Sequence, residues 1–211
     1  MGSRTRTLLG IAGIALVVFL IVLGLVLRGT TAAWDRAVLE VAGGAGTVVG
    51  FAAVVTELGS AWVLVPFVAA VALWAALRGR PTGALVLIAG ALVTEALNSG
   101  LKWLVGRERP DWIAEVLPAS KAFPSGHALV PTVIYGLAAF LVVSIAPRAR
   151  TTLAVVVPLL CLAIGGSRIV LGVHWPTDVI GGFALAVCLA ALGRIALDAA
   201  ERSDRGREEG S

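Results

Sequence analysis

The chain predicts an all-α, polytopic membrane protein with six transmembrane helices. Three features carry that expectation. Hydrophobic residues make up 58% of the chain against 14% charged. Mean hydropathy is +0.95. Uncharged runs recur at about the 20-residue length that a bilayer core demands. A soluble globular domain would carry roughly 25% charged residues. With 211 residues the chain is one domain's worth and leaves no separate segment long enough for a soluble core. Residues 1–200 are therefore expected to form a single transmembrane domain. Residues 201–211, ERSDRGREEGS, are expected to be a charged, disordered tail.

Residues 7–27 form the first run, between Arg6 and Arg28. It exceeds the roughly 7–15 apolar residues of a secretory signal and reads as a helix that stays. Residues 29–57 open with Trp34-Asp35-Arg36 and continue through a Gly- and Val-rich stretch at 41–56, whose 16 uncharged residues are short for a crossing. An interfacial or re-entrant segment is expected there. The second span is 58–77, closed by Arg78-Gly79-Arg80-Pro81, whose proline suits the first position of the next helix. The third, 82–104, carries Glu95, Asn98 and Lys102; spans at 128–147, 151–170 and 176–197 complete the six.

Lysine and arginine divide unequally between the two ends of these spans. One end holds Arg4, Arg6, Arg78, Arg80, Arg148, Arg150, Arg194, Arg202, Arg205 and Arg207; the other holds Arg28, Arg36, Lys102, Arg107, Arg109, Lys121 and Arg168. The richer end is expected to be cytoplasmic, with both termini. The net charge of +4 is thus an orientation signal, and no nucleic-acid partner is expected. Cys161 and Cys188 lie in apolar runs and suggest neither a disulfide nor a metal site.

The chain has two histidines, His127 and His174, and both fall in polar clusters at the less basic ends of spans. Lys102 and Arg109 are seven residues apart, so a helix continuing to Pro110 would set them on one face about 10 Å apart, able to close on one anion or to snorkel toward head groups. Pro124-Ser125-Gly126-His127 opens the fourth span, where the serine can cap and the glycine lets backbone N–H groups approach an anion. His174 and Asp178 are four apart, a spacing in which a carboxylate can take the Nδ1 proton and leave Nε2 free. Arg168 offers a planar, permanently charged fork to phosphate oxygens, or an ion pair to Asp178. Three cations, helix-start donors and two imidazoles suit phosphoryl transfer, with either histidine open as the attacking group. Because no carboxylate or His/Cys cluster shows metal-ligand spacing, metal-independent chemistry without a cofactor is expected. Glu95 and Asn98 lie on the helical face of Lys102 and either orient it or pack helices. Trp34, Trp103, Trp112 and Trp175 read as interfacial belt residues.

Lys102-x6-Arg109-Pro110, Pro124-Ser125-Gly126-His127 and Ser167-Arg168-x5-His174-x3-Asp178 together resemble the three-part signature of the type-2 phosphatidic acid phosphatase superfamily. The resemblance implies a haloperoxidase-like helical core and metal-free hydrolysis of lipid phosphates or diphosphates, among them phosphatidic acid, phosphatidylglycerol phosphate and polyprenyl diphosphates. It makes His174 the nucleophile that forms a phosphohistidine, Asp178 its orienting carboxylate and His127 the general acid. Lys102, Arg109, Ser125, Gly126 and Arg168 would hold the phosphate. The expected setting is a bacterial cell membrane, with the site on the extracytoplasmic face, a lipid phosphate as substrate and no obligatory protein partner. A transporter or scaffold that binds phospholipid without turnover is the alternative.

Overall fold

The computed structural model describes residues 2–42, 46–110 and 120–208. These form helices α1 (Ser3–Leu27), α2 (Ala32–Ala42), α3 (Gly46–Glu57), α4 (Ala61–Leu77), α5 (Pro81–Val105), α6 (Gly126–Ile145), a short 3-10 turn at Pro147–Ala149, α7 (Arg150–Val170) and α8 (Pro176–Glu208), with no strand among the described residues. The chain is all-helical and multi-pass, as expected. Among the described residues, five helical stretches are long and apolar enough to cross a membrane, and α3 with α4, joined at a 41° bend, makes a sixth candidate.

That bend corrects the expected straight span at 58–77. The chain breaks at Leu58-Gly59-Ser60, where the Ser60 hydroxyl donates to the Glu57 carbonyl at 2.7 Å. A Cβ at Gly59 would lie 2.6 Å from Ile164 and 2.9 Å from the His127 ring, so only glycine lets the break pass this close to α6 and α7. Within the stretch expected to be interfacial or re-entrant, 46–56 forms most of α3, which packs against α7. Residues 43–45 lie outside the described residues.

Helix α6 is the central post, in contact with α4, α5, α7 and α8. Leu129, Val133, Leu137 and Leu141, each at most 1% exposed, recur every fourth residue along it and form one buried stripe. Small residues opposite let neighbours approach: a Cβ at Gly90 of α5 would fall 2.5 Å from Leu137, and one at Gly193 of α8 would fall 2.6 Å from it. In lipid, where burial supplies little drive between helices, such close approach is what holds them together. Exposed Leu, Ile and Val residues on α1, α4 and α7 face outward.

The last helix departs from expectation. Instead of giving way to disorder at Glu201, α8 runs on to Glu208. Buried Asp204 accepts from the Thr82 backbone N–H at 3.3 Å, and Glu201 pairs with Arg194 at 3.4 Å, so the first part of the charged segment is tied to the bundle. Residues 209–211 lie outside the described residues.

Candidate active site

The C-terminal ends of α5 and α7 and the N-terminal ends of α6 and α8 meet at one end of the bundle. Helix α5 stops at Val105 because Gly106 adopts φ +62° and its N–H returns to the Lys102 carbonyl at 3.0 Å. The expected shared helical face for Lys102 and Arg109 is therefore wrong: the left-handed glycine ends the helix before the proline can, and Arg109 lies beyond it in coil. The two cations nonetheless converge on the strand of coil before α6. Lys102 Nζ donates to the Lys121 carbonyl at 2.6 Å. Arg109 donates to the same carbonyl at 3.4 Å, to the Ser120 carbonyl at 2.7 Å and to the Ser120 hydroxyl at 3.0 Å.

The start of α8 organises the histidine. His174 lies just before it, and Asp178 sits in its first turn. One oxygen of Asp178, Oδ2, accepts the Trp175 backbone N–H at 2.9 Å and faces His174 Nδ1 at 3.3 Å. The carboxylate thus caps its own helix while touching the ring, the reach-back half of a capping box. On the other side of the ring, Arg109 Nη1 donates to the Val173 carbonyl at 2.7 Å and to His174 Nε2 at 2.9 Å. A guanidinium only donates. Paired with that donor, Nε2 acts as the acceptor, which assigns the ring proton to Nδ1, the nitrogen facing Asp178. Burial first, then the charges of Arg109, Lys102 and Arg168, holds the His174 pKa well below 6.5 and keeps the ring neutral. Burial also lowers the pKa of Arg109, with the Asp178 charge opposing that shift.

Lys102, Arg109, Gly126, His127, Arg168 and His174 line a single cavity of about 510 Å³. Away from these groups the wall is mostly apolar, formed by Leu64, Val65 and Val68 of α4, Leu92 of α5, and Val130 and Ile134 of α6, with Glu95 and Asn98 of α5 and Ser60 and Ser120 also lining it. Two expected site residues stand behind the wall. Asp178 is fully buried behind His174. Ser125 occupies the N-cap of α6 but makes no side-chain cap bond, contrary to expectation. Its backbone N–H goes to the Asp178 carbonyl at 3.0 Å, and its buried hydroxyl has no partner. Arg168 donates from Nη1 to Thr56 at 2.7 Å, while its buried Nε has none. The expected alternative of an Arg168–Asp178 pair is not formed. Nor do Glu95 and Asn98 orient Lys102 by hydrogen bonds, since carbonyls hold it; Glu95 accepts from Ser99 at 3.2 Å, and Asn98 packs on Gly126.

Sequence reasoning missed a second layer. Arg107, inside the Lys102-x6-Arg109 spacing, donates to Asp178 Oδ1 at 2.6 Å and to Asp35 Oδ2 at 2.7 Å. Asp35 also accepts from the Thr177 backbone N–H at 2.9 Å. Trp175, expected in the interfacial belt, instead has Arg107 5.6 Å over its ring and donates its indole N–H to the Glu108 carbonyl at 2.9 Å. Trp34 and Trp103 are exposed, at 49% and 81%. Trp112 and the rest of 111–119 lie outside the described residues.

The sequence pattern of the PAP2 superfamily matches residues 83–201, more than half of the chain and the stretch that holds every group lining the polar end of the cavity except the α4 break. The chain belongs to the PAP2 superfamily. It is thereby a phosphoric ester hydrolase. Phosphatidylglycerophosphatase B of Bacillus subtilis is 29% identical over 138 residues, 64% of this chain and 68% of that one. Decaprenylphosphoryl-5-phosphoribose phosphatase of Mycobacterium tuberculosis is 35% identical over 135 residues, 62% of this chain and 68% of that one. The crystal structure of a transmembrane PAP2 type phosphatidylglycerolphosphate phosphatase from Bacillus subtilis superposes with a TM-score of 0.82 at 25% identity, covering 87% of this chain and 94% of that one.

Proposed function

We propose that this PAP2 protein hydrolyses a lipid phosphate or lipid diphosphate by way of a phosphohistidine, without a metal ion. The observation that carries the reading is the His174 ring, whose proton is drawn to Nδ1 by Asp178 and whose Nε2 opens on a cavity shared with His127 and three cations. A phosphate entering the cavity takes over the donors of Arg109, Lys102 and Arg168, including the partnerless Arg168 Nε. Nε2 then forms a bond to phosphorus as the bond from phosphorus to the lipid-side oxygen breaks. The leaving oxygen takes a proton from His127, which enters this step as an imidazolium, having taken up a proton with the phosphate whose negative charge offsets the surrounding cations. A water molecule returns a proton to His127 and attacks phosphorus, the P–N bond breaks, and inorganic phosphate leaves with His174 regenerated. The cations neutralise the equatorial oxygens, the task a divalent ion performs in other phosphoryl-transfer sites.

The apolar wall formed by α4, α5 and α6 suits the hydrocarbon chain of the leaving alcohol. Exposed Trp62 and Trp103 near the same end of the bundle fit the membrane–water boundary. Together with the lysine and arginine count, they support an extracytoplasmic site, cytoplasmic termini and a single membrane domain. The test is phosphate release by purified protein from a panel of phosphatidic acid, phosphatidylglycerol phosphate and polyprenyl diphosphate in excess chelator. Turnover of at least one lipid and its loss in His174→Ala are expected. Release that requires added magnesium, or that persists in His174→Ala, overturns the mechanism.

A further inference from the structure

We propose that Arg107 is a positioning residue of this site, anchored by Asp35 of α2, and that through Asp178 it fixes which nitrogen of His174 carries the proton. The inference rests on the phosphatase reading for its kinetic consequence but not for its structural one.

Asp178 has two oxygens and three donors to satisfy. Arg107 Nη1 takes Oδ1 at 2.6 Å, which leaves Oδ2 for the Trp175 N–H at 2.9 Å and for His174 Nδ1 at 3.3 Å. The rotation of the carboxylate is thereby set from behind. Arg107 is in turn held from its far side. Its Nη2 meets Asp35 Oδ2 at 2.7 Å and Thr31 at 3.4 Å, and Nη1 also donates to the Thr177 hydroxyl at 2.8 Å. Asp35 is 0% exposed and bridges back to α8 through the backbone N–H and the hydroxyl of Thr177. Arg107, Asp35, Thr177 and Asp178 thus form one buried network that ties α2 to the helix start bearing the reactive ring.

The guanidinium geometry matters here. Two different nitrogens of one rigid plane each serve a different carboxylate, a bridge that the single ammonium of lysine does not reproduce. A buried ion network is weak grounds for stability, since hydrophobic replacement is often neutral. Its position directly behind the His174–Asp178 pair argues for orientation instead.

The test uses 15N-histidine-labelled full-length protein, in which only two ring systems are present, together with phosphate-release kinetics and inhibition by inorganic phosphate. Arg107→Lys and Asp35→Asn are the variants. Asp35→Asn keeps side-chain volume and hydrogen bonding to Thr177, so it reports even if Arg107→Lys fails to fold. Wild-type protein should show His174 as the Nδ1–H tautomer, and the variants a mixture of tautomers. kcat should fall about 10–100-fold, the scale on which outer partners of a functional imidazole act. The inhibition constant for phosphate should stay within about twofold, because Lys102, Arg109 and Arg168 are untouched. A pure Nδ1–H tautomer with wild-type kcat in the folded variants overturns the inference. So does a loss of phosphate affinity in parallel with kcat, which would place Arg107 in the anion cradle. If the tautomer shifts in the variants but wild-type protein releases no phosphate, the positioning network stands and the phosphatase reading falls.

Discussion

Replacing Asp178 with asparagine gives the sharpest test of how the histidine is prepared, because the consequence can be counted bond by bond. The carboxylate accepts three donors: Arg107 on Oδ1, and Trp175 N–H and His174 Nδ1 on Oδ2. An amide has one acceptor oxygen and one donor group. If its oxygen faces Trp175 and His174, its NH2 points at the Arg107 guanidinium, donor against donor. If the amide flips to satisfy Arg107, its NH2 faces Nδ1, which must then become the acceptor, and the ring proton moves to Nε2. There it meets Arg109, a donor at 2.9 Å, and the nitrogen no longer has a lone pair to offer phosphorus. Loss of the correct tautomer by this same exchange, in a triad whose geometry is otherwise kept, costs about 10⁴-fold in kcat. That corresponds to about 5 kcal/mol of transition-state stabilisation. The assay is initial-rate phosphate release at saturating lipid phosphate in detergent micelles, with acid-labile phosphoenzyme trapped in parallel. kcat is expected to fall by three to four orders of magnitude, roughly as the triad precedent sets, with little phosphoenzyme accumulating. A variant that stays folded and retains kcat within about tenfold of wild type would refute the tautomer argument, since tenfold is only about 1.4 kcal/mol.

Three further outcomes follow from the geometry. The His174 ring is held neutral in the fold, with a pKa well below the ordinary 6.5, whereas the unfolded chain takes up a proton near that value. Its contribution to stability is therefore complete above about pH 6.5 and is lost as pH falls toward the folded pKa; melting temperatures from pH 8 to pH 5 should drop less steeply in His174→Asn than in wild type. At Gly182 a Cβ would stand 2.8 Å from the Ser125 carbonyl and 2.9 Å from Ala128. Gly182→Ala should cost about 1–3 kcal/mol and lower kcat by displacing the start of α6, read as a reduced melting temperature and slower phosphate release. Ala91 lines the apolar part of the cavity. Ala91→Phe should raise KM for a long-chain lipid phosphate by about tenfold while leaving a short-chain phosphate with the same head group nearly unchanged, in side-by-side Michaelis curves.

What could be read from the sequence, and what could not, divides by distance along the chain. The long spans were legible because a run of hydrocarbon at bilayer length has few alternatives. Lys102, Arg109, His127, Arg168, His174 and Asp178 were legible because polar groups at span ends are costly and their spacing repeats a family pattern. Local competition decided the errors. Gly106, with φ +62°, ended α5 ahead of Pro110, and Gly59 allowed a break that composition alone reads as continuous helix. The deeper omissions were contacts between remote residues: Arg107 with Asp35 across 72 positions, and Arg168 with Thr56 across 112. Asp35 reads from the sequence as part of the charged start of residues 29–57, and nothing in its neighbours marks it as buried beneath the start of α8. Arg107 sat in the variable interior of a motif and was counted only as a charge.

The arrangement of charge explains why a fourth cation, Arg107, stands behind the site. Lys102, Arg109 and Arg168 donate to carbonyls, hydroxyls and an imidazole, and among the described residues none of their hydrogen bonds goes to a carboxylate. Asp178 and Asp35 are both fully buried, and Arg107 lies between them. Without Arg107, the buried carboxylate of Asp178 would lose the cation that pairs with it at 2.6 Å. Arg107 satisfies the carboxylates from behind and leaves the positive charge in front uncompensated. On the proposed reading, that separation lets one small region hold a neutral imidazole oriented by a carboxylate beside an anion trap, because a carboxylate facing forward would cancel the positive charge there.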